Sequence, residues 1–471
     1  MNKNTTPGTT PGTTPDSSAI TTSHLNQKSA LIVGITVFII TFVATYSILR
    51  SLRPVPPRQP DYAGDDPPLS QVNHDFPLSA QLLPTQCRTA ALQILSLFDQ
   101  HRMKNGLYPY ALICGNDYQC EIPDLDQFRN GYSMLYARAS AIQASSIPNE
   151  YDQERLDLIH RDQLAVLKKD LGFYAKKYLA NPQIQNDYYD CAFLAPVASI
   201  TELTHEEQLT LVNYCFNAQY EGRQFTPDYT ADALAVDQKL STLIRNHAAP
   251  NYDWSKDELI TSYSDESNID PTHFIDQHVY FVTDLAAVYF WPAADFQPNE
   301  TDKKNLLAAA QRYYLTALSD YYFAQAKKPA QRLPPNYLLT YALATSRLIA
   351  MQEDQDADVT ELKAFRQQLL LDFRRSGLNS TMVQTMPLDN VASLSFAVDQ
   401  LLADHSLATS NTLLELRQAI IDRMELSTAG TFTGFFDAYE STADGQSLLA
   451  SFNLRNNSLL AAFIFHHFPQ Y

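Results

Sequence analysis

Two carboxylates of this chain stand in stretches rich in aromatic residues. Asp190 follows two tyrosines in NDYYDC, and Asp437 follows two phenylalanines in GFFDAYE. Two carboxylates held about 5–10 Å apart can act as the acid and the base that cleave a glycosidic bond. Asp190 and Asp437 are therefore the first candidates for catalytic residues.

Other acids, amides and tyrosines stand where apolar segments begin, and they are candidates for ligand binding. These residues are Asp126, Tyr132, Tyr189, Asp276, Tyr337 and Asn457. A tyrosine ring can stack on a sugar face, but the chain has only 2 Trp beside its 27 Tyr, which weakens the case for an enzyme that acts on glycans. Asp and Asn at a helix start are also ordinary N-caps, so a structural role stays open.

The motifs of several common chemistries are absent from the sequence. It has no HExxH, no GxSxG, no CxxC, no P-loop and no dinucleotide-binding glycine fingerprint. We therefore expect no cofactor and no nucleotide, nicotinamide or zinc-protease chemistry.

Three stretches with potential metal ligands favour structural interpretations. His273 and His278 are five residues apart, which does not place both on one helix face. The acidic stretch EDQDADV (353–359) lacks the glycine and the glutamate of a calcium loop. His466 and His467 lie in an apolar segment near the C-terminus, where a structural role is expected. We predict no metal site.

The segment ALIVGITVFIITFVATYSIL, residues 30–49, contains no charged residue. As a helix rising 1.5 Å per residue it spans about 30 Å, the thickness of a bilayer's hydrocarbon core. It is too long for the apolar region of a signal peptide, and no A-x-A site follows it. The sequence predicts an uncleaved transmembrane helix over residues 29–49 that contacts the membrane through residues 30–49.

The orientation of this anchor depends on weaker signals, because Lys and Arg residues are nearly balanced on its two sides. Residues 1–28, rich in Thr, Pro and Ser, are typical of a disordered tail that stays in the cytoplasm. Residues 50–82, rich in Pro and Asp, are typical of an extended linker. We expect a single-pass cell-membrane protein whose large domain, residues 83–471, is extracytoplasmic.

The five cysteines support that location. Cys114 and Cys120 flank a short loop, and Cys191 opens one helical segment while Cys215 closes the next. Two disulfides are natural in this arrangement, with Cys87 left over, and disulfides persist in oxidising compartments. Buried, reduced thiols are the alternative.

The net charge of −18 argues against one class of partner. So acidic a chain repels the phosphates of DNA and RNA. We expect no nucleic-acid partner.

From about residue 83 onward the pattern is helical, and the helices are of two kinds. One kind is amphipathic, with apolar residues at i, i+3, i+4 and i+7, as in AALQILSLFDQH and ELKAFRQQLLLDFRR. The other is apolar nearly all round and must be surrounded by protein. Its members are YSMLYARASAIQAS from Tyr132, CAFLAPVASI from Cys191, VYFVTDLAAVYFW from Val279, YLLTYALATSRLIA from Tyr337, VASLSFAVDQLLA from Val391 and SLLAAFIFHHF from Ser458.

This alternation predicts an all-α domain of about seven outer–inner hairpins, arranged as a ring or as an open solenoid. It resembles the α/α toroid of six- and seven-hairpin glycoside hydrolases, polysaccharide lyases and terpene-cyclase relatives. The stretch KNGLYPYALICG after the first outer helix and the closing stretch from GTFTGFFDAYE onward carry this resemblance. It implies an α/α toroid of six or seven hairpins in which the parallel inner helices gather their N-terminal ends at one mouth.

Three functions stay open for such a domain. The first is a membrane-anchored extracytoplasmic domain that binds a glycan or a protein at the mouth of the toroid. The second is an enzyme resembling glycoside hydrolases or lyases, with paired carboxylates among the residues named above. The third is an open helical-repeat scaffold for protein interactions. Contact between the first and last hairpins would distinguish a ring from an open solenoid.

Overall fold

The computed structural model describes most of the chain between residues 84 and 467. The described ranges are 84–103, 106–114, 120–122, 128–129, 131–147, 153–177, 190–216, 229–248, 252–258, 277–327, 335–375, 388–408, 410–423, 427–429, 432–434, 438–441 and 448–467. All of them belong to the second of two compact units, Phe76–Tyr471. The predicted tail (1–28), anchor (29–49) and linker (50–82) lie outside these ranges. Within these ranges, no helix is both long and apolar enough for a membrane span.

The described part of the chain is mostly α-helical, which confirms the all-α prediction. In chain order its α-helices are α1 (Pro84–Gln100), α2 (Tyr132–Ser145), α3 (Gln153–Lys177), α4 (Asp190–Ala198), α5 (His205–Asn213), α6 (Tyr229–Ala248), α7 (Gln277–Tyr289), α8 (Glu300–Lys327), α9 (Pro335–Glu353), α10 (Thr360–Arg375), α11 (Leu388–Leu402), α12 (Asn411–Arg423) and α13 (Leu454–His467). Two short 3₁₀ helices, Trp254–Lys256 and Ala294–Phe296, lie in the connections.

Six of these helices correspond to the six segments predicted to be apolar all round, and we refer to them as the inner helices. They are α2, α4, α7, α9, α11 and α13. In α2 every residue except Gln143 is buried. Such burial requires neighbours on all sides, since no face of the helix is left for water.

The remaining helices are amphipathic. In α10, for example, Leu362, Phe365, Leu369 and Phe373 are buried at spacings of three and four residues, which places them on one face. The start of α5 has the reciprocal hydrogen bonds of a capping box between Thr204 and Glu207.

Each inner helix packs against two others of its set. In chain order, α2 packs against α4, α4 against α7, α7 against α9, α9 against α11 and α11 against α13. The last of them, α13, packs against α2. Outside them, α1 packs against α13, α3 against α2, α8 against α7, α10 against α9 and α12 against α11. The described hydrophobic core is continuous through these contacts.

Short strands join the beginning and the end of the helical region. In chain order they are β1 (Tyr108–Pro109), β2 (Ala111–Cys114), β3 (Cys120–Glu121), β4 (Phe128–Arg129), β5 (Ser427–Ala429), β6 (Phe432–Gly434), β7 (Ala438–Ser441) and β8 (Leu448–Asn453). One antiparallel sheet has the order β3-β2-β8-β7, with Ala111 paired to Asn453. The β2–β8 ladder therefore ties the connection after α1 to the start of α13.

Candidate functional site

A cavity of about 350 Å³ lies among the inner helices, and most of its lining residues stand in the C-terminal halves of these helices or directly after them. All six helices, or the residues that directly follow them, contribute to its wall. Its polar lining consists of Tyr136, Gln143, Ser199, Thr283, Arg347, Gln400 and His466. Small residues of α4 and α7, such as Ala192 and Ala287, face the same space. Because alanine side chains do not reach across the gap between helices, the cavity stays open.

One carboxylate joins three of the inner helices beside this cavity. Oδ2 of Asp399, on α11, accepts a hydrogen bond of 2.9 Å from the Tyr136 hydroxyl of α2. The same oxygen lies 2.8 Å from Nδ1 of His466, on α13. Oδ1 of Asp399 lies 3.2 Å from Nε2 of His467, an ion-pair distance without hydrogen-bond geometry. Asp399 itself is buried.

This arrangement shifts the pKa values of Asp399, His466 and Tyr136. Burial alone would raise the pKa of Asp399, but the charge and the hydrogen bond of His466, together with the nearby His467, outweigh it and hold that pKa well below its ordinary value. Burial alone would lower the pKa of His466, but the charge and the hydrogen bond of Asp399 raise it above the ordinary value. Burial, with Asp399 adding to it, also raises the pKa of Tyr136. At neutral pH the aspartate is therefore ionised and the tyrosine is protonated.

Arg347 contributes a partly buried guanidinium to the cavity wall from α9. It donates a short hydrogen bond to Oε1 of Gln400, whose amide nitrogen in turn lies 3.3 Å from the Tyr136 hydroxyl. Burial lowers the pKa of Arg347, but a guanidinium stays charged at any physiological pH. Within the described ranges no carboxylate lies within salt-bridge distance of it.

Thr283, on α7, also lines the cavity, and its hydroxyl oxygen is itself buried. Its side chain is 2% exposed, and Oγ1 has no hydrogen-bond partner among the described residues. A buried hydroxyl without a partner costs about 1–3 kcal/mol. Such a group at a cavity wall is available to a ligand.

The structure describes four of the eight residues predicted to form the site. Asp126, Tyr189, Asp276 and Asp437 lie outside the described ranges. Asp190 is fully buried at the start of α4, where it accepts a hydrogen bond of 2.7 Å from the Tyr214 hydroxyl. None of the four described candidates lines the cavity.

The other three described candidates are also packed into the protein. Tyr132 is buried, with its ring 5.5 Å from that of Tyr214. Asn457 is buried and donates a hydrogen bond of 2.8 Å to the Asn453 carbonyl. Tyr337 is partly buried against the core. Many segments that enter the inner helices are outside the described ranges, so a cleft at their N-terminal ends stays a prediction.

The predicted cysteine pair of α4 and α5 forms a disulfide. Cys191 and Cys215 are both buried, and their Cα atoms are 5.7 Å apart. Cys120 is also disulfide-bonded, and its ladder partner across β2 and β3 is Cys114. The first disulfide fixes the start of α4, a helix that lines the cavity.

A second buried ionic cluster lies away from the cavity and has its own partners. Arg138, on α2, is fully buried and donates to Asp99 and, at 2.7 Å, to Gln163. Asp170 lies 3.9 Å from it and accepts a hydrogen bond of 2.8 Å from Tyr108. These contacts join α1, α2 and α3, which indicates a structural role.

The sequence patterns did not identify Tyr136, Arg347, Asp399 and Thr283 as site residues, and they predicted a structural role for His466. These residues are polar positions in helices that are mostly apolar. An ionisable residue on such a helix needs a partner or a cavity inside the protein, and this signal could have identified them. Comparison of the chain with protein families, with curated proteins and with solved structures found no match.

Proposed function

We propose that the large domain is an α/α toroid that binds a small polar ligand, a unit of a glycan or a segment of a protein, in the cavity at the carboxyl ends of its inner helices. The observation that carries this proposal is the composition of the cavity wall. Polar groups from several inner helices converge on one space of about 350 Å³. Small-molecule sites typically measure about 300–1,000 Å³ and combine apolar walls with a few placed polar groups.

The closed series of inner-helix contacts supports a toroid over an open solenoid. An open array leaves its first and last repeats apart. Here α13 packs against both α1 and α2, and β8 pairs with β2. Asp399 also links the first inner helix to the last two through Tyr136 and His466.

The ionisation of Asp399 favours a binding function over glycoside hydrolysis in this cavity. Hydrolysis of a glycosidic bond requires two carboxyl groups, one of them with a raised pKa that can act as an acid. Two described carboxylates lie beside the cavity lining: Asp399, whose pKa is lowered by His466, and Asp284, which accepts a hydrogen bond of 3.0 Å from the backbone N–H of Ala192. No contact of either one supplies the acid with a raised pKa that hydrolysis needs. An enzyme based on Asp190 and Asp437 stays the alternative function.

An extracytoplasmic location on a single N-terminal anchor is part of the proposal. The disulfide between Cys191 and Cys215 supports an oxidising compartment. The uncharged segment at residues 30–49 supports the anchor.

Ligand binding can be followed through Trp291, which lies between two cavity-lining residues, Phe290 and Pro292. The other tryptophan, Trp254, stacks on Tyr322 at 3.6 Å elsewhere. The full chain in detergent, carrying Trp254→Phe, is titrated with neutral and acidic sugars and with short peptides while Trp291 fluorescence is recorded. We expect a saturable change with at least one class of probe.

A cavity-filling variant identifies where the probe binds. Ala287→Phe narrows the cavity and is expected to abolish the response, whereas Ala357→Phe on the exposed surface leaves it intact. A response that survives Ala287→Phe, or no response to any probe, would contradict the proposed function.

A further inference from the structure

We infer that the cavity selects ligands bearing a carboxylate, which Arg347 anchors and Thr283 helps to orient. This inference rests on the proposed function, because it names the ligand chemistry of the same cavity.

The guanidinium of Arg347 has N–H donors that the described residues do not use. It has five N–H donors in a planar fork, and within the described ranges it donates to Gln400. A fork of this kind matches the two oxygens of a carboxylate and binds them more strongly than neutral groups.

The charges of Asp404 and Asp399 act on this guanidinium, but Asp399 makes its close contacts with other groups. Its oxygens lie against His466, His467 and the Tyr136 hydroxyl. Arg347 is therefore a cationic group of the described cavity lining that has no carboxylate within salt-bridge distance among the described residues. A cationic group in the cavity wall is a local exception in a chain whose net charge is −18.

Arg366 is a buried arginine with a structural role. Its guanidinium donates to Ser346 at 2.8 Å, to Asp404 at 2.7 Å and to Ser406 at 2.9 Å. Arg347 has no such set of partners within the described ranges, although it faces a cavity. The contrast indicates that the partner of Arg347 is a ligand.

Thr283 narrows the class of ligand. Its unpartnered hydroxyl can donate to a carboxylate or exchange hydrogen bonds with a hydroxyl group. The adjacent alanines, Ala286 and Ala287, accept an apolar face. A sugar acid offers all three features, and a simple aliphatic carboxylate offers the anion and an apolar face without the hydroxyls.

The test compares three probes on the full chain carrying Trp254→Phe: glucuronate, glucose and propionate. Glucose lacks only the carboxylate, and propionate lacks the hydroxyls. We expect glucuronate to bind at least about tenfold more tightly than glucose, with propionate between them. Arg347→Gln should remove most of this preference, and Arg347→Lys should retain part of it because the charge remains without the fork.

Two controls separate binding from folding. Arg366→Gln removes a buried arginine with structural partners, so it should lower the melting temperature while leaving the preference intact. Thr283→Val should weaken glucuronate binding without lowering the melting temperature.

Equal affinity for glucose and glucuronate, or a preference that survives Arg347→Gln, would overturn the carboxylate inference but not the proposed binding function. Binding of none of the three probes would overturn this inference, and only failure of every probe in the wider panel would also contradict the proposed function.

Discussion

Nδ1 of His466 lies 2.8 Å from Oδ2 of Asp399, and this contact joins the last inner helix, α13, to the preceding one, α11. The Tyr136 hydroxyl reaches the same oxygen from the first inner helix, α2. Positions 136, 399 and 466 are far apart in the chain, so their contact depends on the packing of α13 against α2. The same cluster borders the cavity, which links the closure of the fold to the proposed site.

Replacement of Asp399 tests this cluster through the ionisation of His466. In Asp399→Asn the opposing charge is gone, and burial alone then lowers the pKa of His466 from its raised value to below the ordinary one. Selective isotope labelling of histidine and an NMR titration measure this pKa directly. Asp404→Asn, which removes the partner of Arg366 instead, is the matched control and should leave the titration of His466 unchanged.

The same shifts predict how stability depends on pH. The folded pKa of His466 is raised above its ordinary value of 6.5, so its stabilising contribution is complete below about pH 6.5 and is lost as the pH rises through the folded pKa. The folded pKa of Asp399 is lowered, so its contribution is present above about pH 4 and is lost as the pH falls through the folded pKa. Denaturant unfolding of the wild type and of His466→Gln should therefore differ most between about pH 4 and 6.5. A difference that grows above pH 8 would contradict this assignment.

Thr283 should respond to mutation in the opposite sense to an ordinary buried threonine. Because its hydroxyl has no partner in the described structure, Thr283→Val is expected to leave the free energy of unfolding unchanged or to raise it by up to about 1 kcal/mol. Thr345 is the matched control, since it is buried but hydrogen-bonds to Tyr314 and, at 2.7 Å, to the Tyr341 carbonyl. Thr345→Val should lower the free energy of unfolding by about 1–2 kcal/mol. Equal losses in the two variants would show that Thr283 has a structural partner after all.

The buried arginine of the second cluster should be essential for stability. Arg138→Gln leaves Asp99 and Asp170 without its charge, and breaking such a buried pair typically costs about 3–5 kcal/mol. Arg374→Gln breaks an exposed pair with Glu415 at 3.7 Å and should cost less than about 1 kcal/mol. Urea unfolding of the two variants measures both values. A loss below 1 kcal/mol for Arg138→Gln would mean that the buried cluster is not a source of stability.

The disulfide between Cys191 and Cys215 links stability to location. It closes a segment of 24 residues, so the double variant with alanine at both positions should lose about 3 kcal/mol of unfolding free energy.

Thiols counted under denaturing conditions in protein from its native host test the location. With two disulfides we expect one reactive thiol before reduction and five after it. Five reactive thiols before reduction would contradict an extracytoplasmic domain.

The helical character of the domain was predictable from the sequence because it depends on patterns within single helices. Apolar residues on all sides of the segment from Tyr132 identify α2 as a buried helix, and Thr204 with Glu207 marks the start of α5. The disulfide followed from the placement of Cys191 and Cys215 at the two ends of a helix pair.

The cavity was not predictable in the same way. Its polar residues come from positions as distant as Tyr136 and His466, and no spacing within one helix brings them together. Whether a cavity remains between α4 and α7 depends on how far side chains such as those of Ala192 and Ala287 fill the space. That is a property of packing, which an inspection of helical periodicity does not capture.

The His466 ring gives the most direct test of the central claim that this cavity binds a ligand, because it lines the cavity and titrates with Asp399. The measurement is the NMR signal of His466 in the full chain, assigned with His466→Gln, during titration with glucuronate. We predict a saturable shift of the His466 signal at constant pH, a much weaker effect with glucose, and loss of the effect in Arg347→Gln and Ala287→Phe. A His466 signal that stays unchanged at saturating concentrations of every sugar and peptide probe would contradict the account.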